Sequence, residues 1–164
     1  MSFERPIVKL KPTQIDLLAD GLAWAIVIFL WLYIIIGYNK LPDVIPAHFN
    51  AKGKVTGYSS KMTIWIIPSV LTCIVLGITV LNRYPHVFNY LKPITPENAE
   101  KQYLLATRML RYLKLSVVFI FGFIAVGTIS TNKQNAGLGI WMLPLSLAFI
   151  FAPIIIYFYK ANKK

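Results

Sequence analysis

Four stretches of this chain, residues 21–38, 62–81, 115–130 and 138–159, contain no Asp, Glu, Lys, Arg or His. Their apolar residues come in blocks instead of recurring on one helical face. A helix built from such a block is apolar all round and needs an apolar medium on every side. Each block is near the ~20 residues that carry a helix across a bilayer. The third is the shortest and reaches that length if Lys114 snorkels and Thr131 and Asn132 are added. The pattern predicts an all-α fold: an integral membrane four-helix bundle in one domain, residues 1–164, with spans at about 21–38, 62–81, 115–132 and 138–159.

Details inside the blocks fit this picture. The first begins after some twenty residues that include Asp16 and Asp20, and no small-residue cleavage site follows it, so it reads as a retained helix. Thr13 with Asp16 three residues later is a helix start of capping-box type. Asp16 and Asp20 then read as N-terminal charges of the first helix, with a docking role as the sharper alternative. Trp24, Trp31 and Tyr33 predict lipid or helix contacts, not a cofactor box. Pro68 in the second block is tolerable where neighbouring helices and hydroxyls satisfy the freed carbonyl. Gly122 and Gly127, five apart, do not form the GxxxG dimer motif. Pro144 and Pro153 predict kinks in the fourth helix, and Tyr157 and Tyr159 fit an interfacial aromatic belt.

The polar connections differ in character. Residues 1–12 predict a loosely held tail, and residues 131–138, with Asn135 and Gly137, a short turn. Residues 82–114 form the largest polar segment, in which Thr95-Pro96-Glu97 starts a helix with a cap, a proline in the first turn and an acid. Tyr103, Leu104, Leu105, Met109, Leu110, Tyr112 and Leu113 then recur at near-helical spacing, and Glu100, Lys101, Arg108, Arg111 and Lys114 supply the polar part. This predicts an amphipathic helix at the inner leaflet that leads directly into the third span. Residues 39–61 are long for a hairpin connection, and Pro42 and Pro46 stiffen them. Leu41, Val44, Ile45 and Phe49 are apolar enough to pack, so this loop is expected to be structured and to rest on the membrane domain.

The 14% charged content is low against about 25% for soluble domains. The net charge of +11 reflects topology and not nucleic-acid binding. Lys and Arg number twelve across the N-terminus, the second connection and the C-terminus, against five in the first and third connections. The positive-inside rule therefore puts both termini in the cytoplasm and the 39–61 loop outside.

That loop carries the most specific pattern in the chain. LPDVIPAHFN at residues 41–50, followed by Gly53, Tyr58 and Lys61, resembles the LPxxIPxHFNxxGxxDxYxxK signature of a bacterial membrane domain of unknown function. That domain forms the N-terminal part of SdpI-type proteins, the immunity and signal-transducing proteins of the sporulation-delaying toxin system. The resemblance continues in Pro85, Phe88, Asn89, Ile94, Thr95, Asn98 and Tyr103 and covers roughly residues 13–114. Thr56 stands where the pattern has Asp, and Ser59 where Gly is common; the first change removes a carboxylate and weakens a metal or acid–base role. SdpI-type proteins also continue beyond four apolar segments.

The resemblance implies a multi-pass protein of the bacterial cytoplasmic membrane. It would recognise an extracellular peptide or envelope component and relay to a cytoplasmic regulator. The loop-side candidates are Leu41, Pro42, Asp43, Ile45, Pro46, His48, Phe49, Asn50, Gly53, Tyr58 and Lys61. The cytoplasmic surface candidates are Asn89, Thr95, Asn98, Tyr103, Arg108 and Arg111.

Chemistry is otherwise sparse. No HExxH, GxSxG, phosphate-loop or paired-acid motif occurs, so neither an enzyme nor a cofactor is expected. A zinc site needs three or four ligands, and only Asp43 and His48 share the loop while His86 falls in the other connection, so no metal is expected. Cys73 is the sole cysteine, which rules out an internal disulfide. Spans without ionisable residues argue against an ion-coupled carrier. A small transporter or channel component, its pore lined by Ser69, Thr72, Thr79, Ser116 and Thr128 of an oligomer, is the alternative. A metal-dependent membrane enzyme built on Asp43 and His48 is the second alternative. The expected partners are the lipid bilayer and a second copy of the chain.

Overall fold

A computed structural model describes residues 5–130 and 137–163. Helix α1 spans Gln14–Gly37, strands β1 and β2 span Val44–Phe49 and Val55–Ser60, and α2 spans Ile66–Leu81 after a 3-10 turn over Lys61–Trp65. Helix α3 spans Ala99–Ser130 and α4 spans Met142–Asn162. Among the described residues, four helices are long and apolar enough to cross a membrane. Of the expected third span and the turn after it, residues 131–136 lie outside the described residues.

The bundle is held by a stripe on α1. Ala23, Val27, Leu30 and Ile34 follow at spacings of four, three and four, and all are buried against Leu71 and Val75 of α2 and Val118 and Ala125 of α3. Lipid tails are as apolar as leucine, so what favours this seam is close van der Waals packing, which the small Ala23 and Ala125 allow. Trp31 Nε1 donates to Thr72 Oγ1 at 3.0 Å and stacks on Trp65, tying α1 to α2 as the contact reading of the aromatics expects. Pro68 falls in the first turn of α2, where a missing N–H costs nothing. Helix α4 packs on α3, where Ser116 Oγ donates to the Phe149 carbonyl at 2.6 Å. Only 6% of α4's most apolar window is buried inside the protein, so most of its surface is left for lipid.

The loop after α1 is structured, as expected, and its structure is an antiparallel hairpin. Val44 pairs with Ser60, Ile45 with Ser59, Pro46 with Tyr58, His48 with Gly57 and Phe49 with Val55. The register slips on both sides of His48, beside a proline that cannot donate to the ladder. Helix α1 starts at Gln14 with Thr13 as its cap, as the Thr13–Asp16 pattern predicts, so the helix extends beyond the charge-free stretch that begins at residue 21. The tail, expected to be loosely held, is tied down at Arg5 and Pro6. Arg5 donates to the carbonyls of His86 and Phe88 and lies over the Tyr90 ring, and Tyr103 donates to the Pro6 carbonyl at 3.1 Å. The expected amphipathic helix and third span are one continuous 32-residue helix, as the sequence implied. It begins at Ala99 because Thr95–Asn98 form a turn first, Thr95 N donating to Asn98 Oδ1 at 3.0 Å.

Candidate functional site

The hairpin caps one end of the bundle, and most of its signature residues hold it there. Leu41 and Ile45 are buried in the same core as Ile34 and Ile64, and Pro46 is buried beside them. Asn50 braces the turn: its Oδ1 accepts from the backbone N–H groups of Lys52 and Lys54, both at 3.0 Å. Gly53 has φ +72° and approaches the Gly139 backbone, and its carbonyl accepts from Leu138 N at 2.8 Å. Gly57 leaves room for the His48 side chain, because a Cβ there would meet the imidazole Cδ2 at 2.9 Å. Phe49 is half-buried.

At the base of the hairpin Lys61 Nζ pairs with Asp43 at 2.9 Å and lies 5.6 Å from the Tyr38 ring centroid. The Asp43 side chain is 92% exposed, so water screens this pair heavily. Asp43→Asn is expected to change thermal stability in detergent by less than about 1 kcal/mol. A calorimetric loss well above that would show the pair to be shielded. What the hairpin leaves outward is Pro42, Asp43, Thr56, the His48 side chain and Tyr58, the last 65% exposed.

The opposite end of the bundle holds a charged cluster that the sequence did not reveal as one site. Thr13 and Asp16 close the expected capping box: Thr13 N donates to Asp16 Oδ2 at 2.8 Å, and Asp16 N to Thr13 Oγ1 at 3.4 Å. Arg108 Nε then donates to both Asp16 oxygens, at 3.1 and 3.3 Å. One turn further in, Asp20 accepts from Arg111 Nε at 2.9 Å and from Lys114 Nζ at 2.5 Å. Lys114 also donates to Thr79 Oγ1 of α2 at 3.2 Å, and its side chain is fully buried. It does not snorkel.

The cluster lies at one end of the helices that are long and apolar enough to cross a membrane. From Asp20 to the end of α1, and from Lys114 to the end of α3, are seventeen and sixteen residues. At 1.5 Å per residue these are roughly 25 Å of a ~30 Å core.

Of the expected cytoplasmic surface residues, only Asn89 and Thr95 are exposed. Tyr103 is fully buried, Asn98 bridges Thr95 N and the Pro93 carbonyl, and Arg108 and Arg111 face the α1 acids. A hydrogen bond from Thr95 holds the Glu97 carboxyl below its ordinary range. Burial, reinforced by Tyr157 and Tyr103, pushes the Tyr90 phenol above the usual tyrosine value.

Hydroxyls of the second and third spans bond within their own helices, and three of them also bond across to a neighbouring helix. Ser69, Thr72, Thr79 and Ser116 each donate to the carbonyl four residues back. Among the described residues, no three His, Cys, Asp or Glu side chains gather where they could hold a metal ion. His48 and His86 lie on opposite ends of the bundle.

Residues 25–72 match the family model described as a domain of unknown function (DUF1648), which takes in the second half of α1, the hairpin and the start of α2. An uncharacterized protein of Archaeoglobus fulgidus is 28% identical over 142 residues, which cover 79% of this chain and 78% of that protein. No solved structure matches the chain. This is a multi-pass membrane protein, and the part matched by that domain of unknown function is the hairpin with the helices that flank it.

Proposed function

We propose that this chain is a non-enzymatic recognition protein of the SdpI immunity and signalling kind. In this reading the hairpin faces outward, both termini lie in the cytoplasm, and the hairpin binds an extracellular peptide or envelope component. The supporting observation is the division of labour within the hairpin. Leu41, Ile45, Pro46, Asn50 and Gly53 fix it to the bundle, while Pro42, Thr56, His48 and Tyr58 stay exposed. A two-stranded sheet also keeps a free edge on each strand, and an extended peptide could pair with one. Helix α3 packs against β1 and runs to the charged cluster as one rigid element, a route for relaying occupancy to a cytoplasmic regulator.

The test is His48→Ala combined with Tyr58→Ala, neither of which touches the buried face. Resistance to, or binding of, the peptide is expected to fall at least tenfold, with the melting temperature unchanged. Wild-type recognition in the double variant would overturn the reading. Orientation is tested by Ala51→Cys on a Cys73→Ser background. A membrane-impermeant maleimide should label intact cells, and labelling only after lysis would put the hairpin inside.

One observation favours a second reading, a small transporter. Sequence counted against ion coupling because the blocks lack ionisable groups, yet Lys114 and Asp20 meet inside the bundle at the membrane edge. Ion flux in reconstituted vesicles that Lys114→Met abolishes would favour this reading over recognition.

A further inference from the structure

On the side of the chain termini, α3 and α4 splay to leave a crevice of about 250 Å³ roofed by the start of α1. Arg108 and Tyr112 of α3 and Lys160 of α4 line it together with Met109, Ile156 and Ile15. Contacts between the helices set the levels. Ser116 meets Phe149, and Ala106 packs with Tyr157 and Ala161, so the two helices run antiparallel with Lys160 and Arg108 toward the terminus side. Tyr112 then lies nearer the membrane interior. The crevice thus combines two cationic side chains on the terminus side with apolar walls contributed by all three helices.

We propose that this crevice binds the phosphate headgroup of an anionic phospholipid in the leaflet on the terminus side. Arg108 is positioned for that: both its hydrogen bonds to Asp16 leave from Nε, so Asp16 holds the guanidinium in place without using its terminal amino groups. Lys160 is exposed, and among the described residues no acid pairs with it. The end of the bundle around them is strongly basic. Twelve Lys and Arg against five Asp and Glu lie in the terminal segments and the 82–114 connection with the first turns of α1. Charge complementarity therefore selects an anion. The apolar walls Met109, Ile156 and Ile15, on helices of membrane-crossing length, select one that carries acyl chains rather than a free anion. Little of α4 is covered by protein, so such a lipid can reach the crevice laterally.

The experiment uses the full-length chain in detergent micelles, with bound lipid counted by native mass spectrometry and melting followed by intrinsic fluorescence. Phosphatidylglycerol is expected to bind and raise the melting temperature, and phosphatidylcholine to do neither. Lys160→Gln, at an exposed position whose loss leaves the fold intact, should weaken phosphatidylglycerol binding about fivefold, as for one basic contact. Lys160→Glu should abolish it, and Lys11→Gln should leave it unchanged. Three results would each overturn the proposal: equal binding of both lipids, unchanged binding in Lys160→Glu, or equal protection by inorganic phosphate without lipid.

Discussion

Asp20→Ala is expected to be the most damaging single substitution in the chain, lowering stability by about 3 kcal/mol. Removing one partner of a buried ion pair strands the other, and here two cations depend on one carboxylate. Lys114 is fully buried, and Arg111 is 14% exposed. Asp20 itself is 29% exposed, which argues for the lower end of the roughly 3–5 kcal/mol typical of such losses. In a bundle of this size the melting temperature should fall by roughly 6–12 °C, readable from tryptophan fluorescence in detergent.

Two companion variants show that the stranded charge is the cause. Lys114→Met alone should cost less than Asp20→Ala, since Asp20 keeps Arg111. The pair Asp20→Asn with Lys114→Met should recover part of the loss, because it removes the fully buried unpaired charge and leaves only the more exposed Arg111 without a carboxylate. If the double variant melts no higher than Asp20→Ala, the cluster stabilises by packing alone and the ion pair contributes little.

The same cluster shows where sequence reading stopped. The helices were legible because blocks of apolar residues need no partner to be recognised, and the Thr13–Asp16 cap was legible because both halves lie within one turn. The run from an amphipathic segment into the third span was legible for the same local reason. Asp20 and Lys114, however, are 94 residues apart, and no local pattern joins them. Marking the spans by freedom from charge cut α1 and α3 at the residues that neutralise each other. The near-helical spacing around Tyr103 correctly gave a helix at the inner leaflet but left Arg108 and Arg111 on the cytoplasmic surface, whereas they turn toward α1.

The hairpin was hidden for a different reason. Pro46 interrupts β1, Gly57 interrupts β2, and the Asn50–Gly53 turn lacks the two-residue Asn-Gly or Asp-Gly signature. The signature residues were correctly singled out. Their positions in space are what divides them into those that fix the hairpin and those left outward.

Gly53→Ala is the sharpest way to separate those two groups. The residue sits at φ +72°, where an L side chain costs about 1–2 kcal/mol, and its new Cβ would press on the Gly139 backbone. Relief requires the tip to lift, which breaks the hydrogen bond from Leu138 N to the Gly53 carbonyl, worth about 1 kcal/mol. Together these amount to about 2–3 kcal/mol, the same order as the Asp20 effect but confined to the tip. The rest of the hairpin remains anchored through Leu41 and Ile45. Hydrogen exchange reads this directly. The Leu138 amide should exchange about thirtyfold faster or more, while amides around Leu30 and Val118 keep their protection. Unchanged exchange at Leu138 would mean that the tip is held by something other than this glycine contact. If recognition uses the outward face in a fixed orientation, peptide binding should weaken in Gly53→Ala even though His48 and Tyr58 are intact. Retained binding alongside a loosened tip would show that those side chains act without the brace beneath them.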